Sequence, residues 1–193
     1  MPHVSLPPNK PGMVALSIYR PDVYSRLGSL ADLILHEQHP DSTLTPGGRE
    51  LIASYVSSLN NCAYCQTIHS AVAAAHLSNV KIVEGVIFEY ESSDASPKMK
   101  ALLKIAGMVQ KSGRAVTTEA VESAKKEGAT EMDIHDTVLI AAMFSMFNRY
   151  VDGLATEMPV DLDAFVERGP VIAEKGYAGP PVPVIVVEKV EVK

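Results

Sequence analysis

Residues 45–77 read TPGGRELIASYVSSLNNCAYCQTIHSAVAAAHL, and this stretch decides the fold. It begins with a Thr-Pro pair, which is typical of a helix N-terminus, and its apolar positions then recur at steps of three and four as far as Leu59. After Asn60 and Asn61, a second run is rich in alanine and contains neither glycine nor proline. The stretch therefore predicts two antiparallel helices joined by a tight turn at the asparagines.

The chain on both sides of these two helices also carries helical signals. Capping residues, prolines at the first helical position and apolar stripes divide most of it into further predicted helices. Residues 79–90 fit a helix or a strand by their apolar pattern, and we interpret them as a helix. The long apolar helix that starts at Thr130 is expected to be central. The predicted helices cover residues 21–38, 46–59, 62–77, 79–90, 97–113, 117–128, 130–155 and 161–175, the last interrupted at Gly169-Pro170.

The two ends of the chain have a different character. Residues 1–20 are proline-rich at their start, and residues 177–193 combine a proline-rich stretch with a valine-rich one that resembles a strand. A lone strand cannot satisfy its own backbone groups, so this tail is either disordered or lies against a neighbouring subunit, and we favour the subunit. The predicted fold is an all-α, single-domain helical bundle over residues 21–176, with extended N- and C-terminal arms.

Composition limits the possible functions. The chain has 193 residues, 47% of them hydrophobic and 21% charged, which is enough to bury one core. Its net charge of -6 disfavours binding to nucleic acid or to anionic membranes. No segment resembles a signal peptide or a membrane span, and two cysteines are too few for a secreted disulfide scaffold. We therefore expect a cytoplasmic protein.

The residues that carry chemistry lie at the start of the second helix. Cys62, Cys65 and His69 have the spacing i, i+3 and i+7 and share one helix face. Because Cys62 is at the helix N-terminus, we expect at least one thiol to titrate below its ordinary value. His69 is placed to act as a base for Cys65, the better candidate nucleophile. Across the turn, Glu50 can reach His69 and orient it, which predicts a proton relay ending in a redox dithiol.

Three other interpretations of the cysteine pair remain open. A zinc site is possible in principle, but only Glu50 or His76 could complete its ligands. A structural disulfide closes too short a loop to contribute much stability. Two buried and inert cysteines are a common alternative.

Several further residues have both a functional and a structural interpretation. His76 extends the site or packs, and Tyr64 donates a hydrogen bond to substrate or packs. His135 fits a solvated helix start. The cluster of Met143, Phe144, Met146 and Phe147 fits a core, a subunit interface or an apolar pocket, and Asn148 with Arg149 fits either a buried polar network or a surface pair.

At these residues the sequence resembles the AhpD-like alkylhydroperoxidases of the carboxymuconolactone decarboxylase superfamily. Their signature is a glutamate, eleven residues, Cys-x-x-Cys, three residues and a histidine, and Glu50, Cys62, Cys65 and His69 fit it without a gap. The segments 44–50 and 147–149 also look like the family, so the resemblance spans roughly residues 21–155.

The resemblance implies an all-helical, homo-oligomeric enzyme, trimeric or hexameric, that needs no cofactor or metal. It implies that Cys65 attacks an organic hydroperoxide and becomes a sulfenic acid, and that Cys62 then forms a disulfide with it. An external dithiol or protein reductant would regenerate the enzyme.

One departure from the family is Tyr64, which stands where the best-known members have a histidine. It leaves the relay with one histidine, so the reductant and the preferred peroxide of those members are not carried over. Decarboxylation is not implied, because the true decarboxylases lack the dithiol. Rival functions are a general dithiol-disulfide oxidoreductase, a redox-sensing module, or another activity of this superfamily.

Overall fold

The computed structural model describes residues 1–8, 10–158 and 163–178. Within them the chain is helical and contains no strand, which confirms the all-α prediction. Every predicted helix is present. The α-helices are α1 Gly12–Leu16, α2 Pro21–Leu35, α3 Pro46–Leu59, α4 Ala63–Leu77, α5 Val80–Glu89, α6 Pro97–Lys111, α7 Thr118–Lys126, α8 Glu131–Gly153 and α9 Asp163–Lys175, with a short 3-10 turn at Gly113–Ala115.

Helix α3 is the most enclosed element of the bundle. Every residue from Gly47 to Ser57 is buried, and α3 packs against α4, α6 and α8. We expected α8 to be central, but α8 buries one face and leaves Met146 on the other face half exposed. The apolar pattern of α3 predicts less burial than the structure shows. Helix α3 also buries Arg49, Glu50 and Ser57, whose polar groups form hydrogen bonds.

The turn between α3 and α4 forms as predicted. The Thr45 side chain caps α3 by accepting a hydrogen bond from the Gly48 amide at 3.2 Å. Asn61 adopts a left-handed conformation with φ 59°, which asparagine tolerates better than most residues, and the Cys62 amide then donates to the Ser57 carbonyl at 3.0 Å. The two helices therefore run antiparallel and in contact, with Glu50 and His69 on facing sides.

A buried ion pair fixes the start of α3. The Arg49 guanidinium lies 2.9 Å from the Asp136 carboxylate of α8 and donates to the carbonyls of Ile34 and Glu37 at the end of α2. Because α2, α3 and α8 meet at this one side chain, the neighbouring Glu50 has a fixed position.

The N-terminal arm is not wholly extended, which corrects the prediction for residues 1–20. Gly12–Leu16 form a short helix whose Ala15 and Leu16 are buried. Gly12 has φ 54°, and a Cβ there would lie 2.3 Å from the ring of Tyr64. A five-residue helix that depends on such a tertiary contact has too little periodicity to be recognised from sequence.

Helix α9 is continuous through Pro170, where we expected an interruption. Its extensive packing against α4 compensates for the hydrogen bond that proline cannot donate. Residues 179–193, which include the predicted strand, lie outside the described residues. None of the helices in residues 1–8, 10–158 and 163–178 is both long enough and apolar enough to cross a membrane.

Candidate active site

Glu50 and His69 are in contact, as their spacing predicts. Nδ1 of His69 lies 2.7 Å from Oε2 of Glu50, and the Glu50 carboxylate is fully buried between α3 and α4. A buried carboxylate held this close to an imidazole orients the ring and fixes its tautomer.

Two further residues, which the sequence analysis missed, complete the surroundings of Glu50. Nε2 of His36, just beyond α2, lies 2.9 Å from Oε1, and the Tyr177 hydroxyl donates to the same oxygen at 2.9 Å. The Tyr177 hydroxyl also lies 2.9 Å from Nδ1 of His69. Both residues are far from the Cys-x-x-Cys motif in sequence, and no periodic signal links them to Glu50. Only the tertiary structure brings them together.

These contacts keep Glu50 ionised. Burial alone would raise the pKa of Glu50, but its interactions with His69 and His36 outweigh burial and lower the pKa below its ordinary value. A carboxylate is a hydrogen-bond acceptor only, so it favours the tautomer of His69 that carries a proton on Nδ1. Nε2 of that tautomer is then a proton acceptor.

The two thiols lie together at the start of α4, and both are free and buried. The pKa of Cys62 is raised, first because its thiol is hydrogen-bonded to Cys65 and then because it is buried; the Asp152 carboxylate raises it further. Cys62 is therefore not the thiol whose pKa the helix N-terminus lowers. Local contacts outweigh the helix dipole, and Cys62 keeps its proton beside the sulfur of Cys65.

A cavity of about 140 Å³ opens beside this pair. Cys65 and His69 both line it, and Cys62 does not. Its walls are mostly apolar, and Tyr64 contributes to them, as does Arg168 from α9. Burial raises the pKa of Tyr64, so its hydroxyl is protonated at neutral pH. The cavity gives a small molecule access to Cys65 and shields Cys62.

His76 lies at the edge of this site. Its ring is 5.4 Å from that of His36, and its buried Nε2 has no hydrogen-bond partner among the residues that the structure describes. Within the described residues, no three His, Cys, Asp or Glu side chains are grouped so as to hold a metal ion. The carboxylate of Glu50, one of the two side chains that could have completed a zinc site, is hydrogen-bonded to His36, His69 and Tyr177.

The remaining candidates divide between core and surface. Met143, Phe144 and Phe147 are buried, with the Phe144 ring 4.5 Å from that of His69. His135 is exposed beside Asp136, as a solvated helix start predicts.

Asn148 and Arg149 do not act as a pair. Asn148 is buried, donates to Ser57 at 3.0 Å and accepts from Asn60 at 2.8 Å. Arg149 is exposed and donates to the Ser145 carbonyl of its own helix.

Comparison with known proteins identifies similarity to one protein family and to several solved structures. The model of the carboxymuconolactone decarboxylase family matches residues 21–107, which include both cysteines, Glu50 and His69. No curated protein matches the sequence. Among solved structures, a peroxidase-related protein from Ralstonia eutropha JMP134, described as an alkylhydroperoxidase AhpD core, is 26% identical with a TM-score of 0.72, over 83% of this chain and 81% of that one.

Two other solved structures share the fold. A peroxidase-related protein from Silicibacter sp. TM1040 is 20% identical with a TM-score of 0.68, over 76% of this chain and 75% of that one. A cysteine-to-alanine variant of the debrominase Bmp8, solved in complex with 2,3,4-tribromopyrrole, is 21% identical with a TM-score of 0.68, over 82% of each chain.

Proposed function

We propose that this protein is a thiol peroxidase for small organic hydroperoxides, because the carboxymuconolactone decarboxylase family model matches residues 21–107 and the fold is similar to that of an AhpD core. One observation carries the proposal: Cys65 and His69 line the same cavity while Cys62, outside it, is hydrogen-bonded to Cys65. This arrangement separates a sulfur that meets substrate from a sulfur that resolves the product.

In the first step, His69 accepts the proton of the Cys65 thiol, with Glu50 stabilising the resulting imidazolium. The Cys65 thiolate attacks the terminal peroxide oxygen. The S–O bond forms, the O–O bond breaks, and the leaving alkoxide takes up a proton from His69 to become an alcohol. Cys65 is then a sulfenic acid, oxidised by two electrons.

In the second step, the Cys62 sulfur attacks the sulfenic sulfur of Cys65. The S–S bond forms, the S–O bond breaks, and the hydroxide leaves as water with the proton from Cys62. An external dithiol or protein reductant returns two electrons and two protons to restore both thiols. A reducing compartment such as the cytoplasm suits this cycle, because the dithiol must be regenerated.

The test mixes the reduced protein anaerobically with one equivalent of an alkyl hydroperoxide and counts free thiols against time. We expect two thiols to disappear per peroxide. Cys62→Ser should stop at a trapped sulfenic acid, and Cys65→Ser should not react. Survival of both thiols in the parent protein contradicts the proposal.

The same assay separates the rival functions. A general disulfide oxidoreductase would lose its thiols to a protein disulfide as fast as to peroxide, and a redox sensor would oxidise once without turnover when a dithiol is supplied. Because a debrominase shares the fold and the cavity is largely apolar, bromide release from 2,3,4-tribromopyrrole is measured in parallel. We expect no bromide release while peroxide is consumed.

A further inference from the structure

The chain that follows α9 returns to the active site as a short strap, residues 176–178. The amides of Tyr177 and Ala178 donate to the two carboxylate oxygens of Asp32 on α2, at 2.6 Å and 2.7 Å. Two parallel hydrogen bonds to one carboxylate fix both the position and the orientation of the strap.

Gly176 allows this attachment. It has φ 78°, and a Cβ there would lie 2.6 Å from Oδ1 of Asp32. A side chain at this position would therefore carry both backbone strain and a clash with the atom that anchors the strap.

The strap places the Tyr177 side chain against the proton relay. Its hydroxyl donates to Glu50 and lies 2.9 Å from Nδ1 of His69, and its ring stacks on that of His36 at 5.4 Å. Burial, and then the charge of Glu50, raise the pKa of Tyr177 well above its ordinary value. The hydroxyl therefore stays protonated and remains a donor.

We propose that Tyr177, delivered by the strap on Asp32, is a positioning residue of the Glu50–His69 pair. The inference rests on the proposed function for its catalytic meaning, but the geometry that carries it does not depend on the substrate. The hydroxyl hydrogen points at Glu50, so it stabilises the anionic form of the pair, in which Nε2 of His69 is free to accept a proton. Without this hydroxyl the pair should take up its proton at a higher pH.

Other titratable groups around the pair define the control experiments. His36 touches Glu50 and is itself faced by Asp32 at 3.5 Å and by the ring of His76. The other titratable groups that line the cavity are Cys65 and Tyr64 of α4, Tyr24 of α2 and Arg168 of α9. Helix α8 contributes two uncharged rings, Phe147 in the cavity wall and Phe144 against the ring of His69. A substitution that leaves all of these in place isolates the effect of Tyr177.

The experiment follows the C2-proton resonance of His69 by NMR as a function of pH in the reduced protein, assigned by its loss in His69→Gln. Tyr177→Phe removes only the hydroxyl, and we expect the midpoint of the His69 titration to rise by about one to two pH units, since one hydrogen bond to a charge is worth roughly that much. Tyr24→Phe is the matched control, because Tyr24 lines the same cavity without touching Glu50 or His69. Its midpoint should not move.

A second pair of variants tests the strap. Gly176→Ala should reproduce the shift of Tyr177→Phe, because it displaces the strap while leaving Tyr177 and Asp32 in the sequence. Gly128→Ala is its control, since Gly128 also has a positive φ, 87°, but open space around its Cβ position.

An unchanged midpoint in folded Tyr177→Phe would overturn the inference, even if that variant reduced peroxide more slowly at every pH. The titration of His69 needs no turnover. It can therefore confirm the role of Tyr177 even if the thiol count contradicts the proposed peroxidase activity. The two proposals therefore fail separately.

Discussion

Asp133 holds the loop that leads into α3. Its carboxylate accepts hydrogen bonds from the Ser42 and Thr43 hydroxyls and from the amides of Thr43, Leu44 and Thr130. Burial alone would raise its pKa, but these donors lower the pKa to about 2. The residue thus joins the N-terminus of α8 to the segment that positions Glu50.

Asp133→Asn should destabilise the protein by about 2 kcal/mol at pH 7, the equivalent of this pKa shift. Because the folded pKa is below that of the unfolded chain, about 4, the stabilisation by Asp133 is complete above pH 4 and is lost as the pH falls towards 2. Urea denaturation of both proteins at pH 7 and pH 3 measures this. A difference between the two that does not shrink at pH 3 contradicts the assignment.

Glu50→Gln tests the buried carboxylate directly. The substitution keeps the shape of the side chain but removes the charge that stabilises protonated His69, so we expect thiol loss with peroxide to slow by about 10- to 100-fold. Glu127→Gln, on the exposed end of α7, serves as the control and should react at the parent rate. Equal rates in the two variants would show that Glu50 has only a structural role.

At the scale of elements, the contact between α4 and α9 closes one side of the cavity. A Cβ at Gly169 would lie 2.6 Å from the Ala71 carbonyl oxygen, a backbone atom that cannot move aside cheaply. Ile172, one turn further along α9, lines the cavity. The distance between the two helices therefore depends on the absence of a side chain at Gly169.

Gly169→Ala should lower the free energy of unfolding by up to about 2 kcal/mol, because an overpacking cost of about 1–3 kcal/mol outweighs the gain of about 1 kcal/mol in helix propensity. Gly153→Ala, in the last turn of α8, has nothing near its Cβ position and should be neutral or slightly stabilising. Urea denaturation curves compare the two variants. A stabilised Gly169→Ala protein would contradict the close approach of α9 to α4.

The sequence predicted the helices better than the contacts between residues that are distant in sequence. Thr45, Ser96 and Thr130 cap their helices as their neighbours in sequence indicate, because capping is local. Glu50 and His69 were predictable for the same reason, since only one short turn separates their helices. His36 and Tyr177 were not, because 14 and 127 residues separate them from Glu50, and their approach depends on how α2 and the strap pack.

At the scale of the whole molecule, one face has an apolar surface that the described residues leave exposed. A groove of about 890 Å³ runs between α4, α5 and α9, and it is lined largely by alanine, valine and other apolar side chains. Phe88 at its edge is 92% exposed, and Val166 is 68% exposed. Contiguous apolar surface of this kind is typical of protein interfaces.

We expect a second copy of the chain to cover this face, in line with the trimer or hexamer that the family resemblance implies. Light scattering coupled to gel filtration should then give a multiple of the 20.7 kDa chain mass. Phe88→Glu should reduce the mass, because a buried unpaired charge at an interface is costly. Ile18 is also apolar and is 51% exposed, but it lies outside the groove. Ile18→Glu should therefore leave the mass of the assembly unchanged.

Assembly and chemistry can then be separated. Neither Phe88 nor Val166 lines the cavity beside Cys65. A smaller Phe88→Glu species should therefore still lose two thiols to one peroxide. If it assembles less and also fails to react, the neighbouring subunit is needed to complete the site; if the parent protein already has the mass of one chain, the expected assembly is wrong for this protein.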